Sequence, residues 1–181
     1  YSGAEHGITQ FADWSEQEFK KLLTYKPRGT GLKDDTPLDY IPKATDWTKH
    51  TTPVKDQAQC GSCWAFSAVE AVESAESVLG NKLVDLSEQK LVDCDPVSYG
   101  CDGGWMDTAV KYMIAQKTWP LETEYKYTGV DQTCKSTKGS FTLTINTYKT
   151  PSSVNSLASI LQNEGAPSVA VDASDWSSYR S

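Results

Sequence analysis

The chain has 181 residues, with 17 Lys+Arg against 24 Asp+Glu and a formal charge of −7. That sign speaks against nucleic acid or an anionic membrane as the principal partner, since both call for a basic patch. At 38% hydrophobic and 10% aromatic the composition is that of a folded chain, and no run of about 18 apolar residues is present to span a bilayer. The first residue is Tyr1 and the opening YSGAEHGITQF is mixed and polar, unlike a translation start or a signal peptide. The sequence is therefore read as a piece of a longer precursor.

Residues 1–36 differ in character from the rest of the chain. Ser15-Glu-Gln-Glu18 is a capping-box pattern with Phe19, Leu22 and Leu23 on one side, which predicts a short helix. Residues 26–37, rich in Gly, Pro and charge, read as an exposed linker open to proteolysis. The strongest helix is predicted over 62–79. Trp64, Ala68, Ala71, Val72, Ala75, Val78 and Leu79 recur there at three- and four-residue steps, and Gly80-Asn81 stops it. Glu70, Glu73 and Glu76 are expected to be solvated at its edge. Shorter helices are predicted over 86–93 and over 105–116, the latter with Met106, Ala109, Val110 and Met113 as its stripe. After Cys134 the period changes to two: Phe141, Leu143 and Ile145 alternate with Thr142, Thr144 and Asn146, which predicts a strand. Val154, Leu157, Ala158 and Leu161 predict a further amphipathic helix after a Ser cap, and 168–172 reads as a buried strand. Helices precede strands with no βαβ alternation, so an α+β architecture in two parts is expected.

The five cysteines, Cys60, Cys63, Cys94, Cys101 and Cys134, are an odd number. Such a count suggests a disulfide framework with one free, reactive thiol; the alternative is a reduced chain with five buried thiols. Cys60 and Cys63 have zinc-like spacing, but no second ligand pair accompanies them, and neither a metal nor a cofactor is expected. A thioredoxin-like redox pair would want a strand before the motif, whereas residues 51–59 read as a loop.

The decisive stretch is Gln57-Ala-Gln-Cys-Gly-Ser-Cys-Trp-Ala-Phe-Ser67. Cys63 falls at the start of the strongest predicted helix, where unpaired N–H groups and the macrodipole favour a thiolate. Gln57 lies six residues upstream, within reach to fold back beside it. Its amide and the Cys63 N–H are candidates for an oxyanion hole, in which one donor is worth roughly 10²–10³ in rate. A buried structural cysteine beside a surface glutamine is the competing reading.

Cys60-Gly-Ser-Cys-Trp64 resembles the signature of papain-like cysteine proteases. Pro53-Val-Lys-Asp-Gln57, Leu86-Ser-Glu-Gln89, Leu91-Val-Asp-Cys-Asp95, Gly100-Cys-Asp-Gly-Gly104 and Ser168-Val-Ala-Val-Asp-Ala173 are similar to that family in the right order, most of all to its cathepsin L-like branch. The resemblance implies a papain-like fold with a helical domain and an incomplete β-rich one. It implies Cys63 as nucleophile, Gln57 as the oxyanion-hole glutamine, and bridges Cys60–Cys101 and Cys94–Cys134. Gly61, Gly103 and Gly104 would line the path of the substrate backbone. Trp105, Met106 and Ala170 would line the pocket for the second residue before the cut bond, with a preference for aliphatic or aromatic residues.

Gly7-Ile-Thr-Gln-Phe-Ala-Asp13 resembles the end of the family's inhibitory propeptide, with Thr9 where Asn is usual, and Asp39-Tyr-Ile-Pro-Lys-Ala-Thr-Asp-Trp47 resembles a mature N-terminus. The implied organisation is a propeptide remnant and linker over 1–37, a helical domain over 38–148, and the start of a β-rich domain over 149–181, with activation cleavage near 36–38. The family's histidine and asparagine stand about 130–150 residues beyond the cysteine, past Ser181. His6 and His50, the two histidines present, match neither position. The expectation is a cysteine endopeptidase made as a zymogen, the 181 residues by themselves being inactive. Protein or peptide substrates and its own propeptide are the expected partners, in a monomer of the secretory route, lysosomal, vacuolar or secreted. A non-catalytic homologue, or a binding or inhibitory module of the propeptide type, is the alternative.

Overall fold

The computed structural model describes residues 5–28 and 45–179. Most of the expected linker, the activation cleavage and the boundary at 37–38 lie outside the described residues. The first helix, α1 (Glu16–Lys20), begins at a complete capping box: Glu18 donates its N–H to Ser15 Oγ, and its carboxylate accepts the Ser15 N–H at 2.8 Å. Phe19 and Leu22 are buried below it. Upstream, Thr9 Oγ1 donates to the Ser177 carbonyl and Gly7 N–H to that of Ser178, which ties the N-terminal stretch to residues 176–179.

The core is built on α2 (Cys63–Val78), whose alanines hold a high helical propensity and let neighbours approach closely. Trp64, Ala65, Ala68, Val69 and Val72 are buried, facing Ala109 and Met113 of α4 (Met106–Gln116). Gly80, at φ +94°, ends α2 as the sequence predicts. The short α3 (Gln89–Cys94) adds Leu91 and Val92, and Leu86, Trp119 and Leu143 close the cluster. Burying each large side chain here contributes about 2 kcal/mol. The two buried indoles keep hydrogen bonds, Trp64 Nε1 to the Gly100 carbonyl and Trp119 Nε1 to that of Ser87. Disulfides join Cys60 to Cys101 and Cys94 to Cys134 across 41 and 40 residues, and each constrains the unfolded chain by about 4 kcal/mol in the chain-entropy picture.

Four sequence expectations are corrected. Glu73 and Glu76 are not solvated: each is 1% exposed. Partners distant in the chain offset the cost of burying them. Glu73 accepts from Lys55 Nζ, Thr52 Oγ1 and the Leu86 N–H, and Glu76 from the N–H groups of Thr144 and Ile145, Thr144 Oγ1 and Asn81 Nδ2. Glu70 is exposed. The strand expected over 141–146 forms only as β2 (Phe141–Thr142), antiparallel to β1 (Thr118–Trp119). Beyond it the Glu76 carboxylate takes the N–H groups that a ladder would have used. Residues 168–172 form no strand and are not buried. No strand among the described residues pairs with them, and Val169 and Val171 are exposed. The remaining helix, α5 (Val154–Asn163), starts at the expected serine, Ser153, whose hydroxyl accepts the Ser156 N–H. The helix expected from residue 86 begins three residues later, because Leu86 is held in an antiparallel bridge to Leu121.

Candidate functional site

Cys63, the free cysteine among the described residues, is the first residue of α2 and is half-buried. Two effects oppose each other on its thiol. Burial is the larger and pushes its pKa up, while the N–H groups of Trp64 and of Cys63 itself pull it down. The thiolate favoured on helix position alone is therefore offset by desolvation. Ser62 precedes it as the N-cap, but its side chain does not cap the helix and instead meets the Tyr127 hydroxyl at 2.6 Å.

Gln57 lies in the loop before the motif, with its Nε2 donating to the Cys60 carbonyl at 2.8 Å. Its own carbonyl accepts from Tyr127 Oη, also at 2.8 Å. Ala58, the next residue, has φ +52° and is stapled by Asp56 Oδ1, which accepts its N–H. Both histidines are engaged elsewhere. His50 Nδ1 is 2.9 Å from Ser77 Oγ, near the far end of α2 and thus about 20 Å along the helix from Cys63 at roughly 1.5 Å per residue. His6 Nδ1 meets Ser178 Oγ.

The glycines border the N-terminal stretch. Thr24 Oγ1 donates to the Gly61 carbonyl at 2.7 Å, and a Cβ on Gly61 would stand 2.3 Å from the Thr24 methyl. Gly103, at φ +116°, approaches the Thr24 carbonyl so closely that a Cβ would come within 2.6 Å of it. Gly104 faces inward, and a Cβ there would strike the Trp64 ring at 2.4 Å. Trp105 Nε1 donates to the Lys26 carbonyl at 2.9 Å, and the Arg28 guanidinium lies 3.4 Å above the Trp105 ring. Gly61, Gly103 and Trp105 are thus gathered under residues 24–28. Trp105 and Met106 also line a cavity of about 560 Å³ with Tyr25, Val72, Val110 and Ile145. Ala170 is exposed and is not part of that lining.

A cation site of another kind is filled by the protein itself. Glu73, Asp85 and Glu88 converge within 4.8 Å of one another, and Lys55 Nζ lies 2.9, 2.7 and 2.6 Å from them. One ammonium shared by three carboxylates stays protonated more firmly than an ordinary lysine. Burial, only partly offset by Lys55, pushes Glu88 up to about 7. Sequence reasoning missed Ser62, Tyr127 and residues 24–28. Tyr127 carries no motif of its own, and the path of residues 24–28 is a tertiary fact with no periodic signal.

A model of the papain family cysteine protease matches residues 41–181. Among curated relatives, a probable cysteine protease, RD19C, of Arabidopsis thaliana is 37% identical over 196 residues, covering 97% of this chain and 52% of the relative. Cathepsin L 1 of Paramecium tetraurelia is 41% identical over 184 residues, covering 96% of this chain and 58% of the relative. The chain spans about half the length of the curated relatives it matches. Among solved structures, the digestive procathepsin L2 proteinase from the Tenebrio molitor larval midgut superposes with a TM-score of 0.75 at 28% identity, covering 97% of this chain and 62% of that one. The likeness is to a procathepsin with a papain-like fold, and a family match over most of the sequence leaves one assignment: the chain belongs to the papain family of cysteine proteases.

Proposed function

We propose that these residues belong to a cysteine endopeptidase made as an inhibited zymogen, with Cys63 as its nucleophile. In the reaction the thiolate sulfur attacks the peptide carbonyl carbon and forms a C–S bond. The carbonyl oxygen becomes an oxyanion received by the Cys63 N–H and the Gln57 amide. The C–N bond then breaks as the leaving amine takes a proton from an imidazolium, and water hydrolyses the thioester. Gln57 Nε2 has two protons: one is given to the Cys60 carbonyl, and the other is the donor to the oxyanion. Neither His6 nor His50 is placed as the imidazole, so the 181 residues by themselves do not turn over.

The single observation that carries this reading is the position of residues 24–28, lying along Gly61, Gly103 and Trp105 beside a free thiol at the start of a helix. A segment hydrogen-bonded to that groove keeps an extended substrate out of it. After its removal, Gly61, Gly103 and Gly104 border the substrate backbone, and Trp105 and Met106, joined by Ala170, favour an aliphatic or aromatic residue two before the cut bond. The substrates are proteins or peptides and the active form is a monomer. Two disulfides accord with the secretory route, ending in a lysosome, a vacuole or outside the cell. No helix among the described residues is long and apolar enough to cross a membrane.

The test expresses the complete reading frame, removes the N-terminal segment, and compares the wild type with C63S on peptides varied at that second position. Best cleavage of peptides with an aliphatic or aromatic residue at that position, lost in C63S, is the expected result. Equal cleavage by C63S, or best cleavage with charged residues there, contradicts the reading.

A further inference from the structure

The Tyr127 hydroxyl stands where the two loops of the candidate site meet. It lies 2.8 Å from the Gln57 carbonyl oxygen and 2.6 Å from Ser62 Oγ. A carbonyl only accepts, so the phenol gives its one proton to Gln57 and the Ser62 hydroxyl donates to the phenol oxygen. Burial pushes the Tyr127 pKa above its ordinary value, which keeps the phenol a donor through neutral pH.

The bond has consequences on both sides. On the helix side, it holds the Ser62 hydroxyl, which makes no capping bond to α2, one residue before Cys63. On the loop side, Gln57 is followed by Ala58 at φ +52°, a left-handed conformation that costs alanine on the order of 1 kcal/mol and that persists only under outside bracing.

The tyrosine is itself well held. Its ring meets the edge of Phe66 from α2 at 4.9 Å between centroids, and its N–H donates to Glu122 Oε1 at 2.8 Å. Two residues on, a Cβ added to Gly129 would come within 3.2 Å of Ala58 Cβ. Asp131 Oδ1 accepts the Cys101 N–H, and the Cys101 carbonyl accepts that of Gly61. Residues 127–131 thus brace the Gln57 loop, the start of α2 and Gly61 from one side.

We propose that Tyr127 is a positioning residue for the chemistry at Cys63: by tying the Gln57 backbone to Ser62 it sets the separation between the oxyanion donors and the thiol. This rests on the reading of Cys63 as a peptidase nucleophile. Tyr127 itself does not touch the reacting atoms. Its ring contact with Phe66 survives in Y127F, which removes only the hydroxyl and both of its hydrogen bonds.

The experiment uses the protein from its complete reading frame, activated by removal of the N-terminal segment. Y127F is expected to lower kcat about ten- to a hundredfold, the scale of an ångström-level misplacement of reacting groups, with KM nearly unchanged. Exchange of Cys63 with a dipyridyl disulfide forms no oxyanion and needs no Gln57 donor, so its rate and pH profile should match those of the wild type. S62A should also lower kcat, and the double variant should fall short of the product of the two single losses. A kcat for Y127F within about twofold of the wild type overturns the proposal, as does a disulfide-exchange rate that falls in parallel with kcat. A wild type that cleaves no peptide overturns the peptidase reading and this inference with it, whereas an active wild type beside an equally active Y127F overturns this inference alone.

Discussion

At Cys63 a helix start and a half-buried setting pull the thiol in opposite directions, and burial wins. A papain-type thiol is kept ionised by an adjacent imidazole, and neither His50 nor His6 is hydrogen-bonded to it here. In the 181-residue chain the rate of alkylation by iodoacetamide should therefore rise with a midpoint above that of an ordinary thiol, about 8.5. A midpoint below that value would mean that an unrecognised cation or the helix start dominates. The position of Cys63 is legible in the sequence because a motif and a helical period coincide there. The bond from the Gln57 amide to the Cys60 carbonyl is not, since nothing in residue spacing tells which acceptor a free amide selects.

Among the elements, α2 is the helix its period predicts, but two of its glutamates, expected in water on the strength of their charge, are buried. A 3.6-residue period reports which face is apolar; it is silent about carboxylates buried against partners remote in the chain. Glu76 draws hydrogen bonds from Thr144 and Ile145 and so truncates the strand that an alternating pattern predicts. Glu73 and Glu88 meet Lys55 from the loop before Gln57, so the charge cluster links that loop to α2 and to the start of α3. The pKa of Glu88 is raised from 4.5 to about 7 by burial, so the folded state holds its proton more firmly than the unfolded chain. The stability from this group is complete below about pH 4.5 and is lost as the pH rises through about 7. Urea midpoints of the wild type should carry this downward contribution between about pH 5 and pH 8, and E88Q, which cannot ionise, should show a flatter profile. Parallel profiles for the two proteins would contradict the assignment.

At the scale of the whole molecule, the helical half is legible from periodicity, and the pairing of the cysteines only through resemblance, because four cysteines admit three connectivities. The course of residues 24–28 over Gly61, Gly103 and Trp105 is not legible at all. It depends on a backbone path and on an Arg28–Trp105 stack that no local pattern encodes. Residues 168–172 read as a strand on composition, yet a strand exists only with a ladder partner, and none pairs with them among the described residues. On the proposed reading, Cys63 is the nucleophile of a peptidase held shut by its own N-terminal segment. The most direct measurement treats the protein from its complete reading frame with a thiol-directed peptide inactivator, before and after removal of that segment, and maps the adduct by mass spectrometry. Slow labelling is expected before removal and afterwards a single adduct on Cys63, formed in step with loss of peptide cleavage. Cleavage that persists with Cys63 fully labelled, or labelling as fast before removal as after it, would contradict that reading.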